Sequence, residues 1–273
     1  MSAARVCRIG RTGGPEVLEW VDAEVPPPAA GEVTVRQTAV GLNYIDTYFR
    51  TGLYPQLLPG GIGMEAAGVV EAIGPGVDFL GVGDRVGYFS STTGAYATRR
   101  TLSATTVAKL PDGIDEKTAA AIMLKGCTAE FLAERCAKVQ AGQTVLVHAA
   151  AGGVGLILTQ WLKAIGARVI GTAGSAEKAA LAKAHGADHV ILYREEDIAR
   201  RVAELTGGAT CDVVIDGVGK DTFEASLDSL RPRGLHISYG NASGPIGAVD
   251  FSILARKDSL FTKDRMRVDV VVA

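Results

Sequence analysis

From residue 144 onward the chain alternates two textures. Short runs rich in apolar and β-branched residues, at 144–149, 168–172, 187–193, 211–216 and 234–239, are separated by amphipathic stretches at 154–165, 176–185, 195–205 and 221–230. The runs have strand length and the spacers crossover-helix length, so the pattern predicts βαβαβ and a doubly wound parallel sheet. Before about residue 124 the texture differs: β-type runs at 33–40, 68–74 and 84–88 are divided by Pro26-Pro-Pro28, Gly74-Pro-Gly76 and Gly81-Val-Gly83. That punctuation predicts a compact, mostly β domain. Alanine-rich helical sequence starting at Thr118 joins the two.

Composition adds limits more than identity. At 273 residues the chain suits two domains, and 47% hydrophobic with 21% charged residues is an ordinary globular balance. Lys and Arg number 28 against 30 Asp and Glu, so there is no electrostatic footprint for duplex nucleic acid or an anionic membrane. Cys7, Cys127, Cys136 and Cys211 show neither C-x-x-C nor Cys/His ligand spacing, which suits a reducing, cytoplasmic setting. Residues 1–10 lack the features of a secretory signal. The stretch 144–162 raises the question of a membrane span, but His148, Gly152, Gly153, Gly155 and Gln160 interrupt it, and it reads as strand, turn and helix.

That stretch contains Val145-Leu-Val-His-Ala-Ala-Ala-Gly-Gly-Val-Gly-Leu156. Against the dinucleotide-binding pattern G-x-G-x-x-G the three positions are Ala150, Gly152 and Gly155. The second lets backbone N–H groups approach a pyrophosphate, the third lets helix pack on strand, and the helix N-terminus at Val154 offers its dipole to the anion. A tight turn without a ligand is the competing reading. The next strand ends at Gly171-Thr-Ala-Gly-Ser175, about 20 residues on, where the cofactor ribose belongs. Gly174 and Ser175 bring no carboxylate there, and Lys178 follows one helical turn later. Ser175 can donate to a 2′-phosphate and Lys178 can add charge, so NADPH is favoured over NADH. Glu177 turned inward, or Lys178 as a solvated helix face, are the alternatives.

The chain resembles the zinc-independent, zeta-crystallin-like quinone oxidoreductases of the medium-chain dehydrogenase/reductase superfamily. The resemblance rests on Gly13-Gly-Pro-Glu-Val-Leu18, Gly41-Leu-Asn-Tyr-Ile-Asp-Thr-Tyr-Phe-Arg50 with Gly52-Leu-Tyr-Pro55, Lys125-Gly-Cys-Thr128, His148-Ala-Ala-Ala-Gly-Gly-Val-Gly155, Asp216-Gly-Val-Gly219 and Tyr239-Gly-Asn-Ala-Ser-Gly244. It runs from about residue 5 to about residue 261 and implies a GroES-like, partly open β-barrel catalytic domain at 1–124 and a Rossmann NADPH-binding domain at 125–261, with the active site in the cleft between them. It further implies cofactor contacts from Asn43, Asp46, Tyr48, Thr128 and Phe131, then from Gly152, Gly153, Val154 and Gly155 at the pyrophosphate. Gly174, Ser175, Lys178 and Tyr193 would surround the adenosine phosphate, and Gly217, Tyr239, Gly240 and Asn241 would lie toward the nicotinamide. Phe131 stands where relatives often carry Tyr. A homodimer through Rossmann-domain edges is the family habit.

No metal is expected. Where zinc-binding relatives place His this chain has Gly63-Met64-Glu65, and where they place the first Cys it has the region of Asn43. A single thiol such as Cys127 cannot hold a tetrahedral ion and reads as a buried structural Cys, and His148, His185, His189 and His236 read as strand-end or surface residues. Without zinc the hydride acceptor must delocalise negative charge by itself, which points to a quinone and next to an enone or alkenal. Asn43 and Tyr54 are candidate donors to a carbonyl oxygen, and Asp46 would orient Asn43 or a ribose hydroxyl. For Tyr54 and Tyr48 the competing reading is aromatic packing.

The resemblance stops after Ser259-Leu-Phe261, and residues 262–273 diverge from the family. The expectation is a frameshifted or truncated gene, so that a catalytically impaired NADPH-binding protein stands as an alternative to the reductase. A third class, single-stranded nucleic-acid binding, is suggested only by some zeta-crystallin-like relatives, and no basic stripe with interleaved aromatics supports it.

Overall fold

The computed structural model describes residues 2–249; the expected tail at 262–273 and the expected domain end at 261 lie outside them. The chain divides into two compact units, one ending at Leu124 and the other beginning at Lys125.

The first unit contains β1 (Ser2–Ile9), β2 (Glu19–Val25), β3 (Glu32–Gly41), α1 (Tyr44–Thr51), β4 (Gly60–Gly61), β5 (Glu65–Ile73), β6 (Arg85–Phe89), β7 (Arg99–Ser103), β8 (Val107–Lys109) and the start of α2 (Glu116–Glu130). Its strands form two antiparallel sheets, ordered β7-β3-β5-β6-β8 and β2-β1-β4. Val33, Val35, Ala66, Val70, Val86, Tyr88 and Leu102 fill the core of the larger sheet. The central strand β5 is buried along most of its length, beginning with Glu65, which is the feature that matters below. The sequence pattern located β3, β5 and β6 within a few residues. It did not single out β1, β2, β4, β7 or β8, which are short or interrupted by charged residues.

The second unit contains β9 (Thr144–Val147), α3 (Gly153–Ile165), β10 (Arg168–Ala173), α4 (Ala176–Ala184), β11 (His189–Leu192), α5 (Ile198–Thr206), β12 (Cys211–Asp216), α6 (Phe223–Asp228) and β13 (Leu230–Ser238). The five strands are ordered β11-β10-β9-β12-β13 and every neighbouring pair is parallel, the doubly wound arrangement expected. Strand periodicity explains why it is covered on both faces: Val145, Val147, Val169 and Ile215 pack into one core, while Leu146, Ile170 and Val214 between them pack into another. The order reverses between β9 and β12, which opens a crevice at their carboxyl ends. The helix α5 starts later than expected because Asp197 caps it, its Oδ1 accepting from the Arg200 N–H at 2.8 Å. No helix among the described residues is long and apolar enough to cross a membrane.

Candidate cofactor and active site

Three turns meet at the carboxyl edge of the parallel sheet. The first leads from β9 into α3, whose N-cap is Gly152 and carries no side-chain cap. The first N–H groups of any helix lack intrahelical acceptors, and in α4 and α5 of this unit a side chain meets one of them: Ser175 caps α4 and Asp197 caps α5. Helix α3 instead presents Gly153, Val154 and Gly155 in its first turn, leaving room for an external anion. A Cβ at Gly155 would sit 2.3 Å from the Ala149 carbonyl oxygen, so only glycine lets the helix close on the turn. Lys125, which sequence reasoning did not assign, lays its stem over the turn, its Cδ only 2.9 Å from where a Cβ on Gly153 would be. A cation at the positive end of a helix dipole makes sense where an anion is received.

The second turn follows β10. Ser175 Oγ accepts from the Lys178 N–H at 3.3 Å, which leaves its own O–H available as a donor. Lys178 is exposed, and Tyr193, whose N–H bonds the Ala173 carbonyl, places its hydroxyl against Gly174. The third turn follows β12 and β13. The ring of Tyr239 lies over Gly217, and the Ser243 hydroxyl donates to the Val218 carbonyl. Gly240 and Asn241 sit in this loop, so the structure gathers the predicted residues of the second unit along one edge. Thr128 is buried in α2, and Phe131 is half-buried at the start of the wider π-helical turn Phe131–Cys136 that follows it.

Asp216 anchors the third turn and was not foreseen as a hub. Its Oδ1 accepts from Val218 N–H at 2.7 Å and Gly219 N–H at 3.2 Å, and its Oδ2 from the Thr222 and Ser226 hydroxyls at 2.7 and 3.2 Å. Burial works to raise this carboxyl, but the contacts to His236 and Thr222 and the nearness of His148 outweigh it and hold it well below the usual carboxylate range. His148 Nδ1 lies 3.2 Å from Thr172 Oγ1 and Nε2 lies 3.0 Å from Ser226 Oγ. Burial pushes this imidazole down to about 4, against the opposing pull of Asp216. Of the histidines expected at strand ends or on the surface, His148 follows the end of β9 and His189 opens β11, with His148 fully buried; the expectation needs correcting for His236, which is buried within β13. These contacts join residues 24 and 78 positions apart, which spacing does not reveal.

In the first unit, Asn43 lies two residues past the end of β3 and is the N-cap of α1. Its N–H donates to Asp46 Oδ2 at 2.9 Å, and Asp46 also accepts from the Tyr96 hydroxyl at 2.7 Å. Burial and the adjacent Asp46 raise that hydroxyl far above a tyrosine's ordinary value, so Tyr96 stays a donor. The Asn43 side chain is aimed by a different group: Nδ2 donates to Glu65 Oε2 at 2.7 Å, while Glu65 Oε1 accepts from the Leu124 N–H at 2.7 Å. Asn43, Asp46 and Glu65 are all buried. Gly41 is required beside them, because a Cβ there would lie 2.2 Å from Glu65 Oε2. Tyr48 and Tyr54 pack edge to face at 5.1 Å, flanked by Tyr44 and Phe49.

The donor set does not fit a metal. Glu65 is engaged by Asn43 and the Leu124 amide, and no group of three or more His, Cys, Asp or Glu among the described residues could hold an ion. Cys127, expected to be buried, is exposed on α2, because that position faces away from the Thr128 and Ala129 side that packs inward. The glycine-lined helix end, the absence of a carboxylate at Gly174–Ser175 and the nearby lysines do fit a phosphorylated dinucleotide.

Comparison with known proteins agrees with both architectures. A family described as "Alcohol dehydrogenase GroES-like domain" matches residues 29–112, and one described as "Zinc-binding dehydrogenase" matches residues 153–266. A quinone oxidoreductase of Pseudomonas aeruginosa is 53% identical over 250 residues, covering 91% of this chain and 77% of that protein. A 2-haloacrylate reductase of Burkholderia is 44% identical over 251 residues, covering 89% and 75%. The crystal structure of Escherichia coli quinone oxidoreductase complexed with NADPH superposes with a TM-score of 0.93 at 46% identity, covering 94% of this chain and 80% of that one.

Proposed function

The chain belongs to the quinone oxidoreductase family of the medium-chain dehydrogenases and reductases, and we propose that it reduces a quinone with NADPH, without zinc. The observation that carries this reading is the uncapped glycine N-terminus of α3 at the reversal of strand order, with Ser175 and Lys178 rather than a carboxylate at the end of β10. NADPH, when bound, supplies a hydride.

The chain's own residues hold and orient. The amides of Gly152, Gly153, Val154 and Gly155 receive the pyrophosphate, with Lys125 adding charge. The Ser175 hydroxyl and the Lys178 ammonium receive the 2′-phosphate beside Gly174 and Tyr193. Gly217, Tyr239, Gly240 and Asn241 bound the nicotinamide side, and Asn43, Asp46, Tyr48, Thr128 and Phe131 complete the cofactor contacts. Asn43 has one side-chain N–H committed to Glu65; its second N–H and the Tyr54 hydroxyl would donate to a carbonyl oxygen of the acceptor. Asp46, accepting from Asn43 and Tyr96, fixes the geometry and moves no proton. A quinone suits such a site because its developing charge is spread over ring and oxygens, so hydrogen bonds and proximity suffice without a Lewis acid. The likeness to a 2-haloacrylate reductase favours an α,β-unsaturated carbonyl as the second acceptor class.

We also place the protein in the cytoplasm, on the lack of disulfide or ligand patterning among its cysteines. It would work as a homodimer through β11 or β13, the outer strands of the parallel sheet among the described residues; light scattering reads the mass directly. The test of the reading is oxidation of NADPH and NADH against para-benzoquinone and an enone. Turnover fastest with NADPH and the quinone supports it. Enone turnover alone moves the assignment to the second class, and nucleotide binding without turnover overturns the activity.

A further inference from the structure

The buried polar groups beneath the sheet edge form a directed chain. Asp216 is a carboxylate, so Ser226 must donate to its Oδ2. The Ser226 oxygen then accepts, which requires the proton of His148 on Nε2. Nδ1 is left as an acceptor and takes the Thr172 hydroxyl proton. The Thr172 oxygen in turn accepts from the Ala149 N–H at 3.2 Å. Every step from the Ala149 amide to Asp216 points the same way, and Asp216 Oδ1 closes the chain on the Val218 and Gly219 amides.

The two ends of this chain are the two loops that flank the crevice at the β9/β12 reversal. Ala149 opens the phosphate-binding turn with φ at +51°, a left-handed conformation that an alanine does not adopt unaided. Thr172 holds it from both sides, through its hydroxyl to Ala149 and its carbonyl to the Ala150 N–H at 3.0 Å. His148 is tied to β12 by its own N–H on the Ile215 carbonyl. His148, Thr172, Ser226 and Asp216 are all at most 1% exposed, so water does not substitute for any of them.

We propose that Thr172, His148, Ser226 and Asp216 are positioning residues that set the phosphate-binding turn and the Gly217–Gly219 loop in register with each other, with His148 held as the neutral, Nε2-protonated tautomer. This rests on the turn being the NADPH site.

Nitrogen NMR of the unliganded wild-type protein tests the relay without any cofactor or variant. A protonated Nε2 and an unprotonated Nδ1 on His148 are expected, and the opposite tautomer or an imidazolium overturns the proposal. Calorimetric titration with NADPH tests the positioning. Thr172→Val and Ser226→Ala should each weaken binding about tenfold, the net worth of roughly one hydrogen bond. The double variant should lose little more than either single one, because both cut the same chain. Thr172→Ser, which keeps the hydroxyl, should bind as the wild type does. Variants that lose stability but bind NADPH with unchanged affinity reduce the chain to a structural one and overturn the proposal. Failure of the wild type to bind NADPH instead removes the site reading, while the tautomer still reports on the relay.

Discussion

A histidine buried as completely as His148 writes its proton balance into the stability of the fold. In the unfolded chain the imidazole takes up a proton near its ordinary 6.5, but in the native protein only near 4. Between those values the unfolded state binds more protons, so unfolding becomes easier as pH falls through that window. The expected loss from this residue is on the order of 3 kcal/mol, and urea midpoints measured from pH 7 down to pH 4.5 read it. Asp216, held below its usual range, acts in a lower window, beneath about pH 4. A His148→Gln variant should show a flatter profile above pH 4.5. A slope as steep as the wild type's would mean that another group is responsible. The same residue shows where sequence reasoning runs out. His148 stood inside a motif quoted for its glycines, and its partners arrive from β10, β12 and α6, so only the topology assembles them. Glu65 is parallel: it stood only as the neighbour of Met64, where a metal ligand was missing, yet its side chain aims Asn43.

At the scale of elements, Ser175 is asked to do two things, and they separate by measurement. As N-cap of α4 it accepts the Lys178 N–H, so Ser175→Ala should cost about 1 kcal/mol of stability. As a donor to a 2′-phosphate it should also matter for NADPH and not for NADH. Lys178→Ala removes the charge and leaves the cap, because the bonded group is backbone. It should therefore lower NADPH affinity with little change in stability or in NADH affinity. Equal losses for both nucleotides in both variants would show that this turn does not read the phosphate. The elements themselves were legible where one period dominated: the strands at 168–172 and 211–216 and the helix at 154–165 were located to within a residue or so. Legibility failed at Leu230–Arg233, where the pattern carried the helix to residue 230 and began the strand only at 234. The chain instead enters β13 there, through a register irregularity against Cys211–Val213, with Arg233 at φ +62°.

For the whole molecule, the candidate cofactor contacts are divided between two units with separate cores, and this division is what a thermal experiment can resolve. A ligand that binds only the native state stabilises it by about 2.7 kcal/mol at a hundred times its dissociation constant. For a unit of this size that is a rise in the unfolding midpoint of roughly 5–10 °C. Two-unit proteins need not unfold in one step, so scanning calorimetry is the appropriate measurement. The Gly152–Gly155 turn, Ser175, Lys178, Tyr193 and the Tyr239–Asn241 loop all belong to the second unit, whereas Asn43, Asp46 and Tyr48 belong to the first. If both sets hold the nucleotide, NADPH raises every resolved transition, and NADH raises them less because nothing at Gly174–Ser175 grips its free 2′-hydroxyl as a carboxylate does. If only the transition of the second unit moves, the contacts assigned to Asn43, Asp46 and Tyr48 are wrong while the phosphate turn stands. If neither nucleotide moves any transition, the glycine-lined end of α3 is a tight turn without a ligand, and family membership records ancestry rather than present activity.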